Sequence, residues 1–254
     1  MKTSKKTKIN QHNFDWSITD RDIVIYVPNF RRKRLLEKAL EKYRTELDDR
    51  NWIMLVVNDG PHEDLSDLQE QYNLCWFTFE RPDHERNGCM IRNYIIQRVR
   101  SSILCTRDPE IYFEGEDYLV QVFEAFENAD VVYRPGSMTE LDQQEDKVRT
   151  WKVDRLRYEC LHAGLAIRTE RLLRMGGYDE DFAGVYGFED VHMLSRLRAS
   201  DVQFFIDDEV KTFHFHHDRP GFQKHTAVTG QQIYNKKLMD LQIVANAGRE
   251  WGKG

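Results

Sequence analysis

The chain has 254 residues and a formal net charge of −6 at neutral pH. That length buries a sizeable core in one domain, and 40% apolar with 31% charged residues excludes both a disordered chain and a membrane-spanning run. The acidic balance excludes the broad basic footprint of non-specific nucleic-acid binding, while leaving DNA open as a substrate.

Met1 to Lys8 is Lys-rich and polar, with no apolar stretch of the signal-peptide kind behind it. Residues 1–20 are therefore read as a flexible segment ahead of a single domain over 21–254, and a cytoplasmic location is expected. The four cysteines, Cys75, Cys89, Cys105 and Cys160, lack metal-site spacing and are read as reduced thiols.

Ile23 to Val27 is an apolar run ending at Pro28, and Leu35, Leu36, Ala39, Leu40 and Tyr43 then recur at helical spacing. Between them lies the basic cluster Arg31, Arg32, Lys33 and Arg34, placed to meet phosphates or to form a solvated first helical turn. Trp52 to Val57 is a second apolar run, closed by Asn58-Asp59-Gly60-Pro61, and Leu65, Leu68 and Tyr72 follow with helical spacing. Leu74 to Phe79 reads as a third strand, Met90 to Val99 as a helix, and Ser102 to Cys105 as a fourth strand. This alternation predicts an α/β fold with a doubly wound, mostly parallel sheet and ligands at the carboxyl ends of its strands.

After Asp108 the pattern predicts a helix over Tyr118 to Phe126, a short strand over Val131 to Arg134, and a polar, mobile loop over Gly136 to Thr150. Leu165 to Ile167 reads as a strand, Arg168 to Met175 as a helix stopped by Gly176-Gly177, and Val191 to Arg198 as another helix. Two late strands, Val202 to Ile206 and Val210 to Phe215, and a helix over Gln231 to Ala245 complete the prediction.

Three clusters carry chemistry. Asp108-Pro109-Glu110 follows a buried-looking strand, and two carboxylates at that spacing can face one hard cation completed by substrate phosphates, though the sequence is also an ordinary turn. Glu189 and Asp190 open a helix, where their charge meets the helix dipole for about 0.3 to 1 kcal/mol; a carboxylate there can also take a proton from an acceptor hydroxyl. His214-Phe215-His216-His217 ends a late strand, so alternation puts His214 and His216 on one face and turns His217 away. Three histidines in four residues suit metal ligation better than core packing, the other reading being a solvated strand end.

In order along the chain, Val27-Pro28-Asn29, Val56-Val57-Asn58-Asp59-Gly60, Asn87-Gly88 with Ile91-Arg92-Asn93, Asp108-Pro109-Glu110, Gly176-Gly177-Tyr178-Asp179-Glu180 and Gly187-Phe188-Glu189-Asp190 resemble the motifs of family 2-type inverting glycosyltransferases of the GT-A fold, including relatives with a galactosyltransferase-like C-terminal segment. The resemblance covers most of the chain and implies a nucleotide-binding half over 21–110 and an acceptor half over 111–254. It implies that Pro28, Asn29, Asp59, Arg92 and Asp108 hold the donor, with Asp59 on the base or ribose and Arg92 at the diphosphate; Arg31, from the basic cluster, is read as a further donor contact. Asp108, Glu110 and His214 would hold Mn²⁺ or Mg²⁺, Asp190 would be the catalytic base, and Glu189 would hold the acceptor.

Two positions depart from the family pattern: Glu110 stands where Asp is commoner, and Pro28-Asn29-Phe30-Arg31 replaces Pro-Thr-Tyr-Asn. The expected reaction is transfer from a UDP-sugar to a glycan, a small molecule, a protein or a modified DNA base. The rivals are a nucleotidyltransferase, which would want glycines in the loop after the first strand, and a non-catalytic nucleotide-sugar-binding protein of the same fold.

Overall fold

The computed structural model describes residues 10–60, 63–80, 88–153, 163–185, 187–217 and 224–253, without the side chains of 224–227. The Lys-rich stretch, Asn87 and Cys160 lie outside the described residues.

The first half alternates as its apolar runs require: β1 (Ile23–Asn29), α1 (Lys33–Lys42), β2 (Trp52–Asp59), α2 (Ser66–Gln71), β3 (Leu74–Phe79), α3 (Gly88–Ile96) and β4 (Ile103–Arg107). β1 pairs in parallel with β2 and β4, and β2 with β3. Side chains alternate across this sheet. Val24, Leu55, Phe77 and Leu104 face α3 and the later helices, while Ile25, Met54 and Cys105 face α1, α2 and α4, so both faces are buried as a parallel sheet demands. Cys75, Cys89 and Cys105 are buried.

The second half adds β5 (Ile111–Gly115), α4 (Tyr118–Asn128), β6 (Val131–Leu141), β7 (Lys147–Lys152), β8 (Ala163–Arg168), α5 (Thr169–Arg174), α6 (Glu189–Ala199), β9 (Gln203–His214) and α7 (Lys224–Met239). Asp117 starts α4 by accepting from the Leu119 and Val120 amides. The strands form one sheet in the order β3-β2-β1-β4-β8-β6-β9-β5, with β7 paired to β6. β8 runs antiparallel to β4, and β6 parallel to β9.

Four expectations are corrected. Gly136 to Thr150 is not a loop: β6 runs on to Leu141 and turns into β7. Its outer strand is exposed on both faces, so no hydrophobic period marked it. The two late strands are one, β9, with an irregularity where Pro135 and Ser137 pair with Asp207 and Lys211. Gly136 sits at that bulge, where a Cβ would come within 2.5 Å of the Asp207 carbonyl oxygen. The last helix begins earlier and ends at Met239.

Residues 10–20, expected to be flexible, instead pack on the sheet edge. Phe14 and Trp16 lie against Phe77 at 4.9 and 5.7 Å between ring centroids, and Gln11 exchanges side-chain hydrogen bonds with the Glu80 backbone. Burial of two aromatic rings outweighs the polar character of the segment.

Candidate active site

The carboxyl ends of β1, β2 and β4, the start of α6 and the end of β9 enclose a cleft of about 370 Å³. Pro28, Asn29, Asp59, Arg92, Asp108, Glu110, Glu189, Asp190 and His214 all line it, so the motifs meet at one place, except Gly176-Gly177-Tyr178-Asp179-Glu180, which does not line it. Arg31 does not. It is exposed, in a left-handed conformation, with its guanidinium 5.5 Å from the Phe30 ring, and Arg32 turns into the cleft in its stead.

At one end, hydrogen bonds fix the lip of β1. The buried Asn29 amide donates to Asn58 Oδ1 at 2.7 Å and Glu63 Oε2 at 2.8 Å, and Asn58 Nδ2 donates to the Glu63 carbonyl at 2.7 Å. Glu63 also accepts from the Lys33 amide in the first turn of α1. The loop after β2 is thereby tied to the loop after β1, beside Asp59.

At the other end Glu110, 2% exposed, collects three cationic or imidazole partners. Its Oε1 lies 2.6 Å from Arg32 Nη1, 2.9 Å from His217 Nε2 and 3.5 Å from His214 Nε2. Burial alone would raise its pKa, but the two histidines and Arg32 outweigh that and hold it well below the usual carboxylate range. Asp108 beside it is pushed up to about 6, by burial first and then by the Glu110 charge. Ligand atoms of Glu110, His214 and His217 lie within 4.8 Å of one another, a donor set that could hold a metal ion.

This corrects the reading of the histidine cluster. The strand ends at His214, so alternation stops there. The chain beyond it brings His217 back to Glu110 and leaves His216 exposed.

Across the cleft, Gly187 and Phe188 take successive left-handed conformations, with φ of 74° and 71°, just before α6. A non-glycine residue there is strained. Glu189 pairs with Arg92 at 3.2 Å, and the Arg92 guanidinium lies 5.2 Å from the Tyr178 ring. Asp190 is raised to about 7, by burial first and then by the adjacent Glu189 charge.

Six buried polar atoms around this cleft have no hydrogen-bond partner among the described residues: Tyr26 Oη, Asn29 Oδ1, Arg92 Nε, Glu110 Oε2, Glu189 Oε2 and His214 Nδ1. Each would cost on the order of 1 to 3 kcal/mol if left unmet. A polar occupant of the cleft would meet them.

No protein-family model matches the sequence, and no curated protein matches it. Solved structures do. TarS of S. aureus aligns over 90% of this chain and 40% of its own length, with a TM-score of 0.58 and 13% identity. Its 1–349 fragment in complex with UDP-GlcNAc aligns over 90% and 68% of the two chains, with a TM-score of 0.58 and 14% identity. The mannosyltransferase PcManGT of Pyrobaculum calidifontis, in complex with GDP-Man and Mn²⁺, aligns over 88% and 66%, with a TM-score of 0.56 and 15% identity. The fold is GT-A. The chain spans less than half of TarS and about two thirds of the other two.

On this GT-A frame, three cleft residues, Tyr26, Arg32 and His217, and Glu63 at the lip escaped the sequence motifs. Tyr26 sat inside an apolar run and looked like core; Arg32 was hidden in a basic cluster; Glu63 had no pattern around it; His217 was turned the wrong way by extending alternation past its strand. Only for His217 was a usable signal present, in the clustering of the three histidines.

Proposed function

We propose that this chain is an inverting glycosyltransferase that moves a sugar from a nucleoside diphosphate sugar, a UDP-sugar in the first instance, to an acceptor hydroxyl. The observation that carries the reading is the cleft itself: a Glu–His–His cluster and Asp108 on one wall face Arg92, Glu189 and Asp190 on the other. The bound UDP-GlcNAc and GDP-Man of the structural neighbours support a nucleotide-sugar donor.

In this reading Pro28, Asn29 and Asp59 hold the nucleoside, and Arg92 meets the diphosphate. Glu110, His214 and His217, with Asp108 nearby, would hold one divalent cation, which supplies charge neutralisation to the departing diphosphate. Two imidazoles and one carboxylate suit Mn²⁺ better than Mg²⁺, which prefers oxygen. Arg32 now occupies Glu110 Oε1 and would have to yield.

Asp190 takes the proton of the acceptor hydroxyl, whose oxygen forms the new bond to the anomeric carbon as the bond to the diphosphate oxygen breaks on the opposite face. The nucleoside diphosphate leaves with its charge met by Arg92. Glu189 holds Arg92 and orients the acceptor. The donor is held by the half over 21–110 and the acceptor by the half over 111–254, in a single cytoplasmic domain; among the described residues no helix is long and apolar enough to cross a membrane. Glycan, small molecule, protein and modified DNA base remain the acceptor classes.

The test is release of nucleoside diphosphate from a panel of UDP- and GDP-sugars, with and without Mn²⁺. Metal-stimulated release supports the reading. Conversion of the same nucleotide-sugars, with added pyrophosphate, to the nucleoside triphosphate and sugar 1-phosphate would reassign the chain as a nucleotidyltransferase, and binding without turnover in the presence of a broad acceptor panel would make it a binding protein.

A further inference from the structure

We propose that Tyr26 reads a ribose hydroxyl of the donor nucleotide and makes the cleft selective for ribonucleotides; this rests on the nucleotide-sugar reading above. Tyr26 lies in β1, in the run Ile23 to Val27, in which every other side chain is aliphatic and buried. Its ring belongs to the core cluster that also holds Val24, Phe77 and Tyr94, and a phenylalanine would serve that burial equally well.

The hydroxyl needs its own explanation. The residue is 1% exposed, lines the cleft, and its oxygen has no partner among the described residues. A buried hydroxyl without a partner is destabilising, and burial in this place raises the phenol well above its ordinary pKa, so it stays a proton donor. Four polar neighbours act on it electrostatically: Arg92, Asp59, Tyr178 and Asp108.

Those neighbours fix what the hydroxyl would meet. β1 lies between β2, which carries Asp59, and β4, which leads to Asp108, so Tyr26 forms the floor between them. With the base or nucleoside edge at Asp59 and the diphosphate at Arg92, the pentose spans the interval above Tyr26. A ribose hydroxyl can accept from the phenol and donate onward to a carboxylate, which satisfies both partners in a place where neither Asp59 nor Asp108 can donate when ionised. A site built to pair with a hydroxyl discriminates strongly against the analogue lacking it.

The experiment measures binding of UDP and GDP, and of the 2′-deoxy and 3′-deoxy forms of whichever binds, to the full chain and to Tyr26→Phe by calorimetry with Mn²⁺ present. The wild type should lose about fivefold or more in affinity for one deoxy analogue. Tyr26→Phe should lose a similar factor for the ribonucleotide and nothing further for that analogue. Equal affinity of the wild type for all three forms overturns the assignment without any variant being needed, as does an equal loss for all three in Tyr26→Phe. In either case nucleotide binding itself survives, so the donor reading stands. No binding of any nucleotide by the wild type would overturn both.

Discussion

His217 Nε2 lies 2.9 Å from Glu110 Oε1, closer than His214 Nε2 at 3.5 Å. Two imidazoles from either side of a strand end thus converge on one buried carboxylate.

The first prediction follows from that convergence. His214→Ala and His217→Ala should each weaken Mn²⁺ binding in the presence of UDP by tenfold or more, while His216→Ala, whose side chain is exposed, changes it little. Electron paramagnetic resonance of free Mn²⁺ measures this directly. Unchanged affinity in His217→Ala would return the cluster to His214 and Glu110 alone.

Asp190 supplies the second. As the base it must be ionised, so kcat/KM should rise as pH increases through about 7, the value to which burial and Glu189 raise it. Glu189→Gln removes the second cause and frees the Arg92 charge, both of which favour the ionised form, so the rising limb should move to lower pH. Asp190→Asn should cut turnover by about 10² to 10⁴-fold. A raised pKa also means that ionising Asp190 costs stability as pH climbs, so Asp190→Asn should melt higher than the wild type at pH 8. A lower melting temperature would contradict the raised value.

How much of this was readable in the sequence depended on whether a residue's role left a periodic trace. β1 to β4 are buried on both faces, and their unbroken apolar runs declared them. β5 was missed because Ile111-Tyr112-Phe113 is short and follows a turn-like Asp-Pro-Glu. β7 was missed because Lys147–Lys152 buries neither face, and β9 was split because Asp207-Asp208-Glu209 looks like a turn where it is a bulge. In the site, carboxylates and His214 were legible from their order along the chain. Arg32 was not, since only the left-handed turn at Arg31 decides which of two adjacent arginines points inward.

Gly88 gives a prediction about Arg92. A Cβ at Gly88 would sit 2.9 Å from Arg92 Nη1 and 3.7 Å from Glu189 Oε1, and φ there raises no barrier to a side chain. Gly88→Ala should therefore fold, yet displace the guanidinium from its place beside Glu189. Turnover should fall with a change of no more than about 1 kcal/mol in stability, because a flexible side-chain end gives way more easily than backbone. Loss of folding, or full activity, would show that Arg92 is not positioned by this contact.

The last prediction concerns His192, which is buried in α6 and does not line the cleft. Its Nδ1 is 3.7 Å from Asp179, a buried carboxylate that also meets Lys237 Nζ at 2.8 Å and Arg249 Nη2 at 3.3 Å, tying α7 and the C-terminal segment to the body of the fold. Asp181 shares Lys237 and Arg249, and Arg196 lies alongside. Burial first, then Arg196, lowers the His192 pKa to about 4, against the attraction of Asp179. The imidazole is thus neutral in the folded chain at pH 6, while an unfolded chain protonates it below about 6.5. Between these two values the unfolded state binds more protons, so stability falls as pH drops from about 6.5 to about 4 and His192 adds no further loss below that. The full contribution of a shift this size is up to about 3 kcal/mol. His192→Gln removes the titrating group, so its denaturation midpoint should depend less on pH than that of the wild type within this window, and alike outside it. Parallel pH profiles for the two proteins in urea unfolding would mean that His192 is not held neutral by its surroundings.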